Sequence, residues 1–199
     1  MASILFWLIK LLCNSGDNII ASTDLYGGTI NLFNNTLKSM GIEVRYANPS
    51  NPDNFKKLSD EKTRLFYAET LPNPSLRVFP ISEVVDIGKN LGIPLIVDNT
   101  ACPIICKPIE HGAAIVMHSL TKYMGGHGRS IGGIIIDAGN FDWSNGLFNE
   151  FTEPSAGYHG LVYHDALGPA AFIAKVRIEG LRDLGSAPSP FNCFQTIQG

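Results

Sequence analysis

The stretch "PLIVDNTACPIICKPIEHGAAIVMHSLTKYMGGHG", residues 94–128, contains two short apolar runs, and each run leads into a charged side chain. The first run, "PLIVD", ends at Asp98, and the second, "AIVMHS", is followed by Lys122 in "SLTKYMGG". Short continuous apolar runs are typical of strands that are buried on both faces of a parallel sheet. Ligands of such sheets gather beyond the carboxyl ends of the strands. We therefore expect Asp98 and Lys122 to lie beside a binding site at one edge of a sheet.

Similar apolar runs recur before and after this stretch, namely "NIIAST", "EVRYA", "TRLFYAE" and "GGIIIDAG". Helical patterns separate the early runs. The segment "TINLFNNTLKSMG" places Ile30, Phe33, Leu37 and Met40 three or four residues apart, and "ISEVVDIGKNLG" has the same periodicity. Strands that alternate with helices predict an α/β fold with a mostly parallel sheet and helices on both faces. Because no linker or repeat interrupts the pattern, we expect residues 1–199 to form a single domain.

The composition excludes several classes of function. Hydrophobic residues make up 45% of the 199 residues and charged residues 17%, as in an ordered globular domain. The net charge of −3 provides no basic surface for nucleic acid or for an anionic membrane. Lys10 interrupts the first apolar run, "MASILFWLIKLLC", which is also shorter than the roughly 20 residues that span a bilayer. This run predicts a buried helix, so we expect no membrane partner and no nucleic-acid partner.

The cysteines and histidines predict neither disulfides nor a metal site. The four cysteines show no disulfide framework, and no second pair stands at metal-ligand spacing to complement "CPIIC". No two of the five histidines form a credible ligand pair on a helix. We therefore expect no metal and a reducing, cytoplasmic location.

Lys122 and its neighbours have the chemistry of a site for an aldehyde cofactor. An amine that is half buried in apolar surroundings is a competent nucleophile toward a carbonyl group. Ser119 and Thr121 supply hydroxyl groups that suit phosphate oxygens. A desolvated Asp98 carboxylate needs a cation or a donor as partner. Pyridoxal 5′-phosphate would use all four residues, although Asp98 as a turn residue and Lys122 as an ordinary strand-end charge remain alternatives.

The segment "VDNTACPIICKPIEHGAAIVMHSLTKYMGGHG" resembles the cofactor segment of the cysteine/methionine-metabolism family of pyridoxal-phosphate enzymes. The resemblance extends from "SGDNIIASTDLYGGT" to "FNCFQTIQG", which is essentially the whole chain. It implies the large cofactor-binding domain of fold-type I, aspartate aminotransferase-like enzymes. The segments "SIGGIIIDAGNFDW" and "FTEPSAGYHGLVYHDALG" are most similar to the O-acetylhomoserine sulfhydrylase branch. Cystathionine γ-synthase and γ-lyase remain alternatives within the same family.

The resemblance implies catalytic roles for Lys122 and Tyr26. Lys122 matches the lysine that condenses with the cofactor aldehyde and then moves protons. Tyr26, in "DLYGGT", matches the tyrosine that stacks on the cofactor ring and assists the leaving group. Asp98 matches the aspartate that keeps the pyridine nitrogen protonated, so that the ring withdraws electrons.

Three further residues are implied to bind the cofactor. Asn73, in "ETLPNPSL", matches the asparagine beside the phenolic oxygen of the ring. Ser119 and Thr121 match the hydroxyl groups that hold the phosphate. Arg129, in the glycine-rich loop, stands where the family usually has a small or polar residue.

The resemblance also implies partners and missing parts. The substrates would be an O-acylated homoserine and sulfide or a thiol, and the full-length enzymes are expected to be homo-oligomers. An amino-terminal arm and a carboxy-terminal small domain that binds the substrate carboxylate are expected to be absent, with Met1 and Ala2 in the first turn of a phosphate-facing helix. We therefore expect weak turnover and self-association of the 199-residue chain alone. A second hypothesis is a catalytically impaired fragment that acts as a scaffold or as the partner of a complete homologue.

Overall fold

A computed structural model describes residues 2–199 of the chain. Its six strands coincide with the six apolar runs found in the sequence, so each of these strand predictions is confirmed. The strands are β1 (Asn18–Ser22), β2 (Glu43–Ala47), β3 (Thr63–Glu69), β4 (Leu95–Asp98), β5 (Ile115–Ser119) and β6 (Gly133–Asp137).

The strands form one sheet in the order β2-β1-β3-β4-β5-β6. All neighbouring pairs are parallel except β5 and β6, which are antiparallel. The predicted mostly parallel α/β fold is therefore confirmed. Glu69 of β3 pairs with Asp98 of β4, and Asp98 pairs with Met117 of β5. The carboxyl ends of these three strands consequently open at the same edge of the sheet.

Within residues 2–199, eight α-helices connect and cover the strands. They are α1 (Ala2–Lys10), α2 (Gly27–Asn31), α3 (Asp53–Leu58), α4 (Ile81–Leu91), α5 (Asn149–Thr152), α6 (Tyr163–Leu167), α7 (Ala171–Lys175) and α8 (Pro190–Ile197). A π-helical stretch, Leu32–Leu37, continues α2 and buries Phe33 and Leu37, whereas Met40 is 37% exposed. The predicted helix is therefore confirmed, with a wider π-helical turn in its middle.

Both faces of the sheet are buried, which explains why the strands are continuous apolar runs. Tyr67, Ile96 and Met117 pack into one apolar cluster with α1 and the aromatic residues of α5 to α7. Their strand neighbours, such as Phe66 and Val97, pack into a second cluster on the other face with α3 and α4. Side chains alternate between faces along a strand, so burial on both sides leaves no position for a polar repeat.

The first helix is buried, as predicted, with Leu5, Leu8 and Ile9 at most 1% exposed. Ile4 packs directly over Gly133, where a Cβ atom would overlap its side chain. Because Gly133 pairs with Ser119, this contact holds the first turn of α1 beside the carboxyl end of β5. Ala2 begins the helix as expected, while the prediction for Met1 falls outside the described residues. Within residues 2–199, none of the helices has the length and apolarity needed to cross a membrane.

Candidate active site

The carboxyl ends of β3 and β4 and the turn after β5 enclose a cavity of about 700 Å³. Five of the six residues predicted for the site line this cavity, namely Tyr26, Asn73, Asp98, Thr121 and Lys122. The sixth, Ser119, is the last residue of β5 and is only 2% exposed. The fold thus brings together side chains that are up to 96 positions apart in the chain.

Three polar strand ends face the same side of the sheet. Glu69, Asp98 and Ser119 each lie two positions beyond a strand residue that packs into the α1 cluster. Because side chains two positions apart point to one face, all three project toward the face on which α1 lies. This placement is what a shared site at the strand ends requires.

Asp98 is a buried carboxylate with one unpaired oxygen. It is 4% exposed, and burial raises the pKa of its carboxyl group above the ordinary value. The Thr100 backbone N–H, at 2.9 Å, and the Thr100 hydroxyl both donate to Oδ1. No hydrogen bond to Oδ2 is made by residues 2–199. A cationic or hydrogen-bond-donating group in the cavity could therefore bind to Oδ2, to which no described residue donates.

Thr100 also links the ends of two strands. While its hydroxyl donates to Asp98, its Oγ1 accepts the backbone N–H of Ser119 at 2.8 Å. The relative position of the Asp98 carboxylate and the end of β5 is therefore held by one side chain.

Lys122 lies in the turn that follows β5. Its N–H donates to the Ser119 carbonyl oxygen at 3.3 Å, and its own carbonyl oxygen accepts the N–H of Gly126 at 2.9 Å. The side chain is exposed, so the prediction of a half-buried lysine is wrong for the described residues. Three residues beyond the strand, the chain has already left the apolar interior of the sheet. The amine nevertheless lines the cavity that Asp98 lines, as the prediction required.

The Tyr26 ring stands at the mouth of the cavity and is 41% exposed. Tyr26 immediately precedes α2, and its N–H donates to Glu69 Oε1 at 2.7 Å. A Cβ atom added to Gly28 would lie 2.5 Å from Cε1 of the ring. The second glycine of "YGG", Gly28, is therefore needed for this ring position.

The hydroxyl groups near the end of β5 differ in what they bond. Thr121 Oγ1 accepts the Gly132 N–H at 3.2 Å and donates to the Gly132 carbonyl oxygen at 3.3 Å. The buried Ser119 Oγ has no hydrogen-bond partner among the described residues. Buried polar groups are nearly always hydrogen-bonded. A bound ligand could therefore supply the partner that this hydroxyl lacks.

Asn73 is exposed, in the loop after β3. Arg129 is also exposed, next to cavity-lining Gly128.

Sequence reasoning missed Glu69. This carboxylate ends β3, is 7% exposed and lies beside Asp98 in the sheet register. Burial, and to a smaller extent the Asp98 charge, raise the pKa of Glu69 to about 7. The signal that singled out Asp98, a carboxylate directly after an apolar run, is equally present in "LFYAE".

A family model described as Cys/Met metabolism PLP-dependent enzyme matches residues 1–199. The chain belongs to this family. The O-acetyl-L-homoserine sulfhydrylase of Leptospira meyeri is 52% identical over 194 residues, which are 93% of this chain and 44% of that protein. The homocysteine/cysteine synthase of Saccharomyces cerevisiae is 46% identical over 195 residues, which are 96% of this chain and 44% of that protein. The chain thus spans less than half the length of these curated relatives.

Solved structures of the Cys/Met metabolism family have the same fold as this chain. A Campylobacter jejuni structure assigned as an O-acetylhomoserine (thiol)-lyase matches 99% of this chain and 49% of its own, with a TM-score of 0.94 and 34% identity. That structure carries N′-pyridoxyl-lysine-5′-monophosphate. The O-acetylhomoserine sulfhydrylase of Wolinella succinogenes matches 98% of this chain and 54% of its own, with a TM-score of 0.82 and 32% identity. These likenesses confirm the predicted fold-type I domain.

The residues of the site fit the cofactor of the Cys/Met metabolism family. Asp98 Oδ2, to which no described residue donates, is an acceptor that suits a protonated ring nitrogen, and the Lys122 amine lines the same cavity and suits an aldehyde. The Ser119 hydroxyl, which has no partner among the described residues, could donate to a phosphate oxygen. The described residues thus include an amine, a buried carboxylate and a hydroxyl that suit pyridoxal phosphate.

Replacing Ser119 with alanine is expected to weaken the binding of pyridoxal 5′-phosphate by about tenfold, because a hydrogen bond to a charged group is lost. Binding of pyridoxal, which lacks the phosphate, should change by less than about twofold. Isothermal titration with both compounds measures the difference. Ser130→Ala is the control, since the buried Ser130 hydroxyl already contacts Thr196 Oγ1 at 3.2 Å. Equal losses for both compounds in Ser119→Ala would exclude a phosphate contact.

Proposed function

We propose that residues 1–199 form the pyridoxal-phosphate-binding large domain of an enzyme that replaces the acetyl group of O-acetylhomoserine with sulfide or a thiol. The observation that carries the proposal is the single cavity lined by Lys122, Asp98 and Tyr26. The relatives support the substrate, because sulfhydrylases of O-acetylhomoserine and homocysteine synthases are among the proteins most similar to this chain. This chain covers 44% of the length of the Leptospira meyeri sulfhydrylase. The activity that we propose is therefore that of the whole enzyme.

Pyridoxal phosphate, when bound, withdraws electrons from an attached amino acid and so stabilises negative charge beside its α-carbon. Asp98 contributes by holding a proton on the ring nitrogen through Oδ2, the oxygen that Thr100 leaves free. Lys122 Nζ would bind the cofactor aldehyde and, when free, would take a proton from the α-carbon of the substrate and then one from the β-carbon. An exposed, flexible amine suits this double role, because the two protons lie on different atoms.

The remaining residues orient rather than move protons. The Tyr26 ring covers the cavity, and its hydroxyl is the group available to assist departure of the acetate. Thr121 and Ser119 would hold the phosphate, and Asn73 would donate to the phenolic oxygen of the ring. In the overall reaction the bond from the γ-carbon to the acetoxy oxygen breaks and a bond from the γ-carbon to sulfur forms. O-acetylhomoserine and hydrogen sulfide thereby yield homocysteine and acetic acid, with all atoms balanced.

The proposal also includes the oligomeric state and the cellular location of the enzyme. We infer a homo-oligomer, because large apolar side chains such as Ile104, Ile105 and Tyr123 are 70–90% exposed in the described residues. The four free cysteines support a reducing, cytoplasmic location.

The proposal is tested by expressing the protein from its complete gene and identifying the products that it forms. With O-acetyl-L-homoserine and sulfide, we expect homocysteine and acetate in equal amounts, and Lys122→Ala should abolish both. With cysteine in place of sulfide, a sulfhydrylase makes little cystathionine. Cystathionine as the main product would instead show a cystathionine γ-synthase, and release of 2-oxobutyrate would show a γ-lyase. Absence of every product from folded, cofactor-loaded protein would overturn the proposal.

A further inference from the structure

Glu69 accepts a backbone hydrogen bond from Tyr26, a cavity-lining residue whose side chain is exposed. Its side chain is 7% exposed, and its Oε1 accepts the Tyr26 N–H at 2.7 Å. The Tyr26 side chain, in contrast, is 41% exposed. The backbone bond to Glu69 is therefore the specific tie between Tyr26 and the sheet.

This bond acts at the point where the chain changes direction. Tyr26 is the residue before α2 and has an extended backbone, with φ of −58° and ψ of 137°. The N–H of Tyr26 precedes the first turn of the helix, whose own N–H groups bond back to the Tyr26 carbonyl oxygen. Fixing this N–H therefore fixes both the start of α2 and the direction in which the Tyr26 ring leaves the backbone.

Gly28 restricts the same ring from the other side. Its missing Cβ leaves room for ring atom Cε1, which would lie 2.5 Å from a Cβ at that position. The ring thus lies against the helix start at Gly28, while the hydrogen bond to Glu69 fixes the backbone from which the ring extends. A shift of the backbone at Tyr26 would be transmitted directly to the ring.

We propose that Glu69 is a positioning residue that holds the Tyr26 ring over the cofactor cavity through the Tyr26 N–H. Glu69 does not contact the cofactor in this proposal and acts only through Tyr26. The inference rests on the proposed function, because the ring is taken to cover pyridoxal phosphate bound beside Asp98. The rival reading is that Glu69 acts directly on the cavity through its charge, since it also lines the cavity beside Asp98.

Two variants of matched size separate these readings. Glu69→Gln keeps an oxygen acceptor without the charge, and Glu69→Met fills the same volume with neither. If Glu69 positions Tyr26, Glu69→Met weakens pyridoxal phosphate binding about tenfold, while Glu69→Gln stays within about twofold of wild type. Equal losses in both variants would show that the charge matters and would overturn the proposal.

A double-mutant cycle with Tyr26→Ala tests whether the effect passes through the tyrosine. Once the ring is absent, Glu69→Met should change cofactor affinity by less than about twofold. A full tenfold loss in the Tyr26→Ala background would overturn the proposal. Far-UV circular dichroism checks folding, and Glu69→Ala serves as a second acceptor-free variant if Glu69→Met does not fold.

A measurement without cofactor keeps this inference separate from the proposed function. Labelling with 15N-tyrosine gives resonances for the six tyrosines, and Tyr26→Phe identifies the Tyr26 amide among them. We expect its proton to resonate downfield and exchange slowly in the wild-type chain and in Glu69→Gln, and to lose both properties in Glu69→Met. An unchanged resonance in Glu69→Met would overturn the inference, whereas failure of the wild type to bind pyridoxal phosphate would overturn only the proposed function.

Discussion

Replacing Lys122 with alanine is expected to abolish the covalent attachment of pyridoxal phosphate to this protein. The Lys122 amine lines the cavity that Asp98 also lines, and a primary amine is the group that condenses with an aldehyde cofactor. Adding pyridoxal phosphate to the wild-type protein should produce a visible absorbance band. Borohydride reduction followed by peptide mass spectrometry should then find a pyridoxyl group on the peptide that contains Lys122. Both signals should vanish in Lys122→Ala.

Lys57→Ala is the matched control for this experiment. Lys57 is an exposed lysine of α3 and is not among the residues that line the cavity, so its variant should keep the band. A full-strength band in Lys122→Ala, with the pyridoxyl group on another lysine, would show that the cofactor amine has been misassigned.

Replacing Asp98 with asparagine is expected to lower the affinity for pyridoxal phosphate by about 10- to 100-fold. The asparagine oxygen can still accept the two Thr100 hydrogen bonds, but its NH2 group then replaces Oδ2 and cannot accept from a protonated ring nitrogen, so the charge-assisted bond is lost. Titration with the cofactor measures this loss. Affinity within about twofold of wild type would mean that Asp98 does not face the ring nitrogen.

The same substitution is expected to stabilise the protein when no cofactor is bound. Burial raises the pKa of Asp98 in the folded state above its value in the unfolded state. A group of this kind contributes its full stability below the unfolded pKa and loses it as the pH rises through the folded pKa. At pH 7 we therefore expect the melting temperature of Asp98→Asn to exceed that of wild type by about 2–4 °C, which corresponds to roughly 1 kcal/mol.

The pH dependence provides the check on this second effect. The gain in melting temperature should shrink as the pH falls below 4, where the carboxyl group of wild type becomes protonated in the unfolded state as well as in the folded state. Asp165→Asn, at an exposed position of α6, should leave both melting temperature and affinity unchanged. A lower melting temperature for Asp98→Asn at pH 7 would mean that the folded protein already contains a partner for the charge.

The strands and the sheet type could be predicted because their physical cause is local. A strand that is covered on both faces must be apolar along its whole length, and this requirement can be read from consecutive residues such as Leu95 to Val97. The polar residue that ends each run could be read in the same way. It was recognised at Asp98 and overlooked at Glu69, although both runs have the same form.

The exposure of Lys122 could not be predicted from its neighbours in the chain. An apolar run before a lysine does not specify where the chain leaves the sheet, and here β5 ends at Ser119 and a turn carries Lys122 out of the interior. Similarly, "YGG" does not disclose that the Tyr26 N–H finds a carboxylate 43 positions away. Such contacts depend on strand order, which sequence periodicity leaves open.

By itself, the sequence determined the six strands, the family and the set of chemical groups available to the site, because each depends on local patterns of side chains. Only the tertiary structure decided which of those groups meet. Contacts between distant segments set Glu69 beside Asp98 and form the cavity that Asp98 and Lys122 share. They also bury the Ser119 hydroxyl, which has no partner among the described residues. The free energy of such contacts depends on packing and desolvation, and neither exists until the sheet has formed.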